Sequence, residues 1–334
     1  MFEKLEVGKI PSYLSPSGLI QFEKCPNTFF LERMAQDPDP RDEQGPAAAA
    51  GSAFDYFIKI ELARELGRKS LELGLEGLRK TLWDGIYREE DKLLYQGRSV
   101  NDILWCLSVE PQHRGEMAPI GKYLLDIYKK NGYDPSRFKQ VEIHKKYMLQ
   151  FAGFTIPIIG KGDALVNDEV IDAEKTLVGA IKKISSSSSS SSSEIAIYPF
   201  DWKVKGYSSA SGASPTAGYY CIWEDGEIKG SHKNYVPDIP FESISDRYAV
   251  QLAVYGWQCG LFGKDFPAFI DEIVIRPNKI RVAKFRGIIT RGFQAKLAER
   301  FFTCWRSLQN GDFVNSLPPH PKLVEMQADK ESWF

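Results

Sequence analysis

Clusters of metal-binding cysteines are missing from this sequence. The five cysteines are scattered and form no Cys-x-x-Cys pair: Cys25, Cys106, Cys221, Cys259 and Cys304. Zinc and iron–sulfur sites need clustered ligands, so neither type of site is expected. An odd number of dispersed cysteines in an intracellular chain indicates free thiols rather than a disulfide framework.

Long apolar segments are also missing. The first ten residues lack the hydrophobic core of a signal peptide, and no apolar run is long enough to cross a bilayer. We therefore expect an intracellular protein without a membrane partner. The 43 basic and 44 acidic residues leave a net charge of −1. This balance argues against a protein that coats nucleic acid non-specifically, but it allows a local basic groove.

The order of the predicted elements indicates an α/β core with a mixed sheet. Residues 1–66 form its N-terminal helical part, and residues 67–135 are a helical insertion or cap. The core itself spans residues 136–310, with helices, strands, a hairpin and a final helix, and residues 311–334 are a C-terminal tail. Nine consecutive serines, Ser185–Ser193, cannot pack and predict a mobile loop inside the core.

Local patterns predict where individual elements begin and end. One helix is predicted from an N-cap at Ser17 to about Met34, and others over residues 120–128, 244–261 and 292–308. A hairpin is predicted around Pro277-Asn278, with strands over 269–276 and 279–287. Further strands are predicted over residues 141–151, 154–159, 161–166, 170–173 and 195–204.

The tripeptide Asp201-Trp202-Lys203 lies at the end of one strand-like run. Residues two apart in a strand share a face, so Asp201 and Lys203 are expected to point into the same cleft. A carboxylate there can help hold a hard divalent ion, and the ammonium can offset charge that develops during phosphodiester hydrolysis. The pattern is short, so its weight depends on the motifs around it.

A second acidic pattern, Asp172-Ala173-Glu174-Lys175, competes for the same assignment. Asp172 and Glu174 share a face, but Lys175 points to the opposite one. That alternation does not place a lysine beside an acid. We therefore assign the catalytic strand to Asp201 and Lys203.

Four more groups of residues occur in a meaningful order along the chain. Leu14-Ser15-Pro16-Ser17 and Cys25-Pro26 precede an aromatic pair, and Gln251 and Tyr255 follow the strands with helical i, i+4 spacing. Glycine-led motifs lie between them: Gly51-Ser52-Ala53-Phe54-Asp55 and Gly160-Lys161-Gly162-Asp163. With these motifs the chain resembles the PD-(D/E)xK nuclease superfamily, in the RecB-like branch that includes CRISPR-associated exonucleases. The resemblance covers most of the chain except the helical block and the serine run.

The resemblance implies a restriction-endonuclease-like core, with a mixed central sheet flanked by helices, and a site for Mg²⁺ or Mn²⁺. Asp163, Asp201 and Lys203 match the catalytic positions. The implied metal ligands are Asp55, Asp163, Asp201 and the backbone carbonyl of Trp202, whose ring is expected to pack in the core. Asp55 stands where the branch usually has a histidine, and an aspartate is a suitable hard oxygen ligand. The cysteines that would close an iron–sulfur cluster are missing.

The resemblance also implies DNA as the partner, as free ends or single strands, in the cytoplasm of a bacterial or phage-infected cell. Gln251 and Tyr255 match the branch's Gln-xxx-Tyr motif, and Lys205, Arg276 and Arg281 are assigned to nucleic-acid binding. A Walker A motif is missing, so a helicase or recombination partner would be a separate chain.

Each of these assignments has a structural alternative. Asp163 is also compatible with a turn, Gln251 and Tyr255 with an ordinary amphipathic face, and the hairpin arginines with a charged edge strand. For the whole chain, the alternative is a non-catalytic nucleic-acid-binding or scaffold protein that retains the nuclease fold.

Overall fold

The computed structural model describes part of the chain, in several segments. These are residues 10–35, 51–62 without 53, 56 and 60, 121, 124–131, 133–167, 197–205, 219–223, 228–229, 239–276 and 279–310. The serine run, the competing acidic pattern at 172–175, most of the 67–135 block and the 311–334 tail lie outside the described residues. The expectations for those segments stay predictions.

The described residues form an α/β structure with a mixed, open seven-stranded sheet flanked by helices, which confirms the predicted class. The sheet order is β1-β2-β3-β6-β7-β4-β5. Strand β3 pairs parallel with β6, and the β2–β3, β6–β7, β7–β4 and β4–β5 pairs are antiparallel. The strands are β1 (Phe138–Phe151), β2 (Phe154–Asn167), β3 (Ile197–Lys205), β4 (Tyr219–Trp223), β5 (Ile228–Lys229), β6 (Phe266–Arg276) and β7 (Lys279–Ile289).

The predicted hairpin is confirmed, because β6 and β7 pair from Phe266 opposite Ile289 to Arg276 opposite Lys279. The two strands predicted over 154–159 and 161–166 are instead one strand, β2. Gly160 does not interrupt it. A buried glycine is compatible with extended backbone, so its presence alone was a poor signal for a strand end.

The first predicted helix is wrong at its start and in its continuity. It is two helices, α1 (Pro16–Lys24) and α2 (Pro26–Arg33). The N-cap is Ser15 rather than Ser17, and the Ser15 hydroxyl accepts a hydrogen bond from Gly18 N at 3.0 Å. Pro26 restricts Cys25 to extended backbone (φ −159°, ψ 94°), which ends α1.

The helix predicted over residues 244–261 is confirmed with slightly narrower bounds. A short helix, α3 (Phe241–Ile244), precedes it, and the predicted helix itself is α4 (Asp246–Gln258). Ser245 between them is extended, and its hydroxyl caps α4 by accepting from Tyr248 N at 3.4 Å. The last helix, α5, spans Arg291–Asn310. No helix within the described part of the chain has both the length and the apolar character needed to cross a membrane.

The chain divides into two compact units. The first contains residues 1–42, 145–160 and 291–334. Within it, Arg300 donates two hydrogen bonds to Glu23, at 2.7 and 2.8 Å. The ring of Phe302 packs against Phe151 and Phe154, with centroid distances of 5.5 and 5.3 Å. These contacts join α5 to α1 and to the β1–β2 turn.

The second unit contains residues 43–144 and 161–290 and carries every predicted site residue. On one face of its sheet, Phe200 and Trp202 pack against Phe138 at 5.0 and 5.4 Å. Because side chains alternate along a strand, Asp201 and Lys203 project from the opposite face. Helix α4 packs on β3 and β7.

Candidate metal and catalytic site

Two aspartates meet where β2 and β3 separate. Ala164 pairs with Phe200, and Asp163 and Asp201 are the next residues along each strand. Their carboxyl groups hydrogen-bond to each other. The backbone N–H of Trp202 donates to Asp163 Oδ2 at 3.2 Å and holds that carboxylate in place. The structure therefore brings together the two aspartates that the sequence assigned to a metal.

The two carboxyl groups have opposite tendencies to ionise. Burial raises the pKa of Asp201 well above its ordinary value, and the neighbouring Asp163 charge adds to this against the attraction of Lys203. Burial alone would also raise the pKa of Asp163, but Lys59, the hydrogen bond with Asp201 and Lys203 hold it below its ordinary value. Two adjacent carboxylates resist double ionisation. The pair therefore favours holding one proton between them.

Lys203 lies beside this pair, as the alternation of β3 predicted. Its ammonium forms an ion pair with Asp201 Oδ2 and lies 5.8 Å from the centroid of the Tyr248 ring. Burial alone would lower the pKa of Lys203, but Asp201 and Asp163 outweigh burial and raise it above its ordinary value. Lys203 is therefore a protonated hydrogen-bond donor at neutral pH.

Asp55 contacts a lysine that the sequence analysis missed. Lys59 lies one helical turn after Asp55 and is only 3% exposed. Its ammonium donates to Asp55 Oδ2 at 2.7 Å and to Asp163 Oδ1 at 2.9 Å. The i, i+4 spacing of Asp55 and Lys59 is a sequence signal for their pairing, whereas the contact with Asp163 depends on the fold.

A second charged group lies further along the same face of β3. Lys205 Nζ is 2.9 Å from Glu272 Oε2, and the Tyr248 hydroxyl donates to that oxygen at 3.4 Å. Glu272 is fully buried on β6, opposite Lys203 in the parallel pairing. Burial and the Glu272 charge raise the pKa of Tyr248, so its hydroxyl stays protonated and is a donor.

Sequence reasoning missed both partners of Lys205. Tyr248 lies three residues before Gln251 and seven before Tyr255, so the helical period places all three on one side of α4. That spacing was a usable signal for Tyr248. Glu272 had none, because its position beside Lys205 follows from the pairing of β3 with β6.

The other residues that the sequence assigned to nucleic-acid binding lie on α4, β6 and β7. Gln251 is half-buried, and its Oε1 atom is buried and accepts no hydrogen bond from the described residues. Tyr255 is buried, with 7% of its surface exposed. Arg281 lies on β7, opposite Val274, so β6 separates it from β3. Arg276 ends β6, and its side chain lies outside the described residues.

The residues at the Asp163–Asp201 pair fit a single hard divalent cation. Within the segments that the structure describes, no group of three or more His, Cys, Asp or Glu is arranged to hold a metal. Mg²⁺ does not require such a group, because it commonly uses one or two carboxylates together with waters and substrate phosphates. The hydrogen-bonded pair supplies two such oxygens at a point where positive charge is favourable.

Comparison with known proteins does not assign a family. No protein-family model matches this chain, and no curated protein is significantly similar to it. The resemblance to PD-(D/E)xK nucleases therefore continues to depend on the short motifs and the site they define.

Proposed function

We propose that this protein is a metal-dependent DNA nuclease of the RecB-like PD-(D/E)xK class, with a restriction-endonuclease-like core. The observation that supports this best is the hydrogen-bonded Asp163–Asp201 pair with the Lys203 ammonium against it. Paired carboxylates beside a lysine are suited to hydrolysis of a phosphodiester, because they combine a cation site with a fixed positive charge.

Each residue has a distinct part in this proposal. Asp163 and Asp201 would hold one Mg²⁺ or Mn²⁺, and the Trp202 carbonyl would be a further ligand. When bound, the ion supplies Lewis-acid chemistry that polarises the phosphodiester and lowers the pKa of the attacking water. Lys203 offsets the charge that develops on the phosphate oxygens. The Trp202 N–H orients Asp163, as outer-shell hydrogen bonds do for metal ligands.

The proposed substrate is a DNA end or single strand, in recombination, repair or phage DNA metabolism. Lys203 and Lys205 project from the same face of β3, about 6.6–6.8 Å apart along the strand. Two ammonium groups in a row can track the phosphates of one strand. Glu272 and Tyr248 hold Lys205 in that row, and Gln251 lies on the side of α4 that carries Tyr248.

The test is digestion of end-labelled linear DNA with Mg²⁺ or Mn²⁺. We expect Asp201→Ala and Lys203→Ala each to lower cleavage at least about a hundredfold, the scale of losing one preorganised electrostatic contact. Glu174→Ala and Lys175→Ala, in the competing acidic pattern, are the controls and should have far smaller effects. If the control pair proves essential instead, the catalytic strand is misassigned. Undiminished cleavage in EDTA would contradict the metal assignment.

Closed circular DNA separates exonuclease from endonuclease action. We propose exonuclease action, so linear DNA should be cut well and closed circles poorly. Equal cutting of both would identify an endonuclease. Tyr255→Ala should weaken binding of a single-stranded end by about 1–3 kcal/mol if the ring stacks on a base. Unchanged affinity would assign this buried ring to packing.

A second candidate is a non-catalytic nucleic-acid-binding or scaffold protein with the same fold. The observation that favours it is that Lys59 and Lys203 already form ion pairs with Asp163 and Asp201. Crystals soaked in Mn²⁺ discriminate between the two. An ion between Asp163 and Asp201 supports the nuclease, and splayed carboxylates without an ion favour the scaffold.

A further inference from the structure

Lys59 occupies an unusual position for a lysine. It is almost completely buried, and its ammonium lies between two carboxylates on different elements, Asp55 Oδ2 at 2.7 Å and Asp163 Oδ1 at 2.9 Å. Burying an ammonium is costly unless carboxylates compensate it. The two aspartates supply that compensation, so two carboxylates hold one ammonium beside the candidate metal site.

Asp163 is the group that connects this cation to the rest of the site. Its Oδ1 atom accepts from Lys59, while its Oδ2 atom accepts from Trp202 N, and its carboxyl group hydrogen-bonds to Asp201. In two-metal phosphodiester-cleaving sites, two ions lie about 3.5–4 Å apart. A carboxylate between two positive positions is what such a site requires. Here one of those positions holds an ammonium.

We propose that the Lys59 ammonium is a permanent cation that takes the place of a second divalent ion between Asp55 and Asp163, so that the chain binds one divalent ion and excludes another. This inference rests on the proposed function, because it takes the Asp163–Asp201 pair as the site of the one exchangeable ion. Asp55 is then a positioning residue that holds Lys59 rather than a metal ligand.

The contact distances and charges support an ammonium at this point. The nitrogen–oxygen distances of 2.7 and 2.9 Å are those of direct ion pairs, so the ammonium already supplies positive charge to both carboxylates. Three carboxylates, Asp55, Asp163 and Asp201, face the ammonium groups of Lys59 and Lys203. When all three carboxylates are ionised to bind an ion, their three negative charges and the two ammonium groups leave a net charge of −1. One divalent ion therefore more than balances this charge and leaves no net negative charge to attract another.

The test counts Mn²⁺ ions bound per chain in the absence of DNA, by electron paramagnetic resonance of free Mn²⁺ after equilibrium dialysis. We expect one ion in the wild type and two in Lys59→Met, which removes the charge with little change in length. Lys59→Arg keeps the charge and should still bind one. The double variant Asp55→Asn/Lys59→Met lacks the second carboxylate and should return to one.

The outcomes separate this inference from the proposed function. One ion in both wild type and Lys59→Met overturns the role of Lys59 and leaves the metal site intact. No ion in the wild type overturns the proposed metal-dependent function together with the inference. If Lys59→Met does not fold, anomalous diffraction from wild-type crystals in Mn²⁺ decides. A single peak at Asp163 and Asp201, with Lys59 still bridging, supports the inference, and a peak between Asp55 and Asp163 overturns it.

Discussion

Asp201 and Asp271 lie on neighbouring strands, at almost equal depth, on opposite faces of the sheet. They are 2% and 1% exposed. The described residues around the Asp271 carboxylate are donors, because Tyr128 Oη donates to its Oδ2 at 2.5 Å and Arg137 and Lys284 lie 3.5 and 3.8 Å from the same atom. Asp201 faces a second carboxylate, Asp163, as well as Lys203.

This difference indicates that Asp271 is a structural carboxylate and that Asp201 is suited to binding a cation. The donors around Asp271 neutralise its charge and hold β6 to Tyr128, to Arg137 and to β7. At Asp201, burial and the like charge of Asp163 oppose ionisation. An ionised Asp201 therefore lowers the stability of the fold unless a cation is bound beside it. Trp202 connects the two environments, since its backbone N–H donates to Asp163 and its ring N–H donates to the Tyr128 hydroxyl at 3.2 Å.

The largest expected effect on stability is at Asp271. Asp271→Asn removes the charge that compensates buried Arg137 and Lys284, so the free energy of unfolding should fall by about 3–5 kcal/mol. Urea unfolding monitored by circular dichroism measures this. Tyr128→Phe is the matched control, because it removes one hydrogen bond to the same carboxylate and should cost about 1–3 kcal/mol. A loss below that of the control would contradict a structural role for the Asp271 charge.

Asp201→Asn should raise the free energy of unfolding, whereas Asp271→Asn should lower it. The folded-state pKa of Asp201 is raised, so its stabilising contribution is complete below the unfolded pKa of about 3.9 and is lost as pH rises through the folded pKa. In metal-free buffer the variant should therefore gain stability over the wild type above about pH 4. The gain should be about 1.4 kcal/mol for each unit of pKa elevation.

Urea unfolding of both proteins from pH 4 to pH 8 measures that difference, and Asp163→Asn is the control. The folded-state pKa of Asp163 is lowered, so its contribution is present above about pH 3.9 and is lost as pH falls through the folded pKa. Asp163→Asn should therefore be less stable than the wild type at neutral pH. A pH-independent difference between Asp201→Asn and the wild type would show that the carboxyl pair does not oppose ionisation.

The smallest expected effect is on DNA binding, and it is tested with one lysine from each face of the sheet. Lys205→Gln should weaken DNA binding and reduce the salt dependence, log K against log [salt], by about 0.7–0.9, the value for one phosphate contact. Lys284→Gln should leave that slope unchanged, because Lys284 is buried beside Asp271. Fluorescence anisotropy with a labelled single strand at several salt concentrations measures both slopes. Equal slopes for Lys205→Gln and the wild type would show that Lys205 does not contact a DNA phosphate.

The sequence by itself determined the features that depend on residues close together in the chain. The period of two along β3 places Asp201 and Lys203 on one face, and alternation around Pro277-Asn278 marks the β6–β7 hairpin. The same local reasoning failed where one residue overrides a helical pattern. Pro26 splits the first predicted helix at Cys25, since a single backbone restriction outweighs apolar spacing.

Only the tertiary structure decided which charges are neighbours. Lys59 and Asp163 are 104 residues apart in sequence, and Glu272 reaches Lys205 through the parallel pairing of β3 with β6. Periodicity records which way a side chain points, but it carries no information on which distant strand or helix lies opposite. The surroundings of Asp201 and Asp271 differ for that reason, because their neighbours are set by strand pairing and burial rather than by adjacent residues.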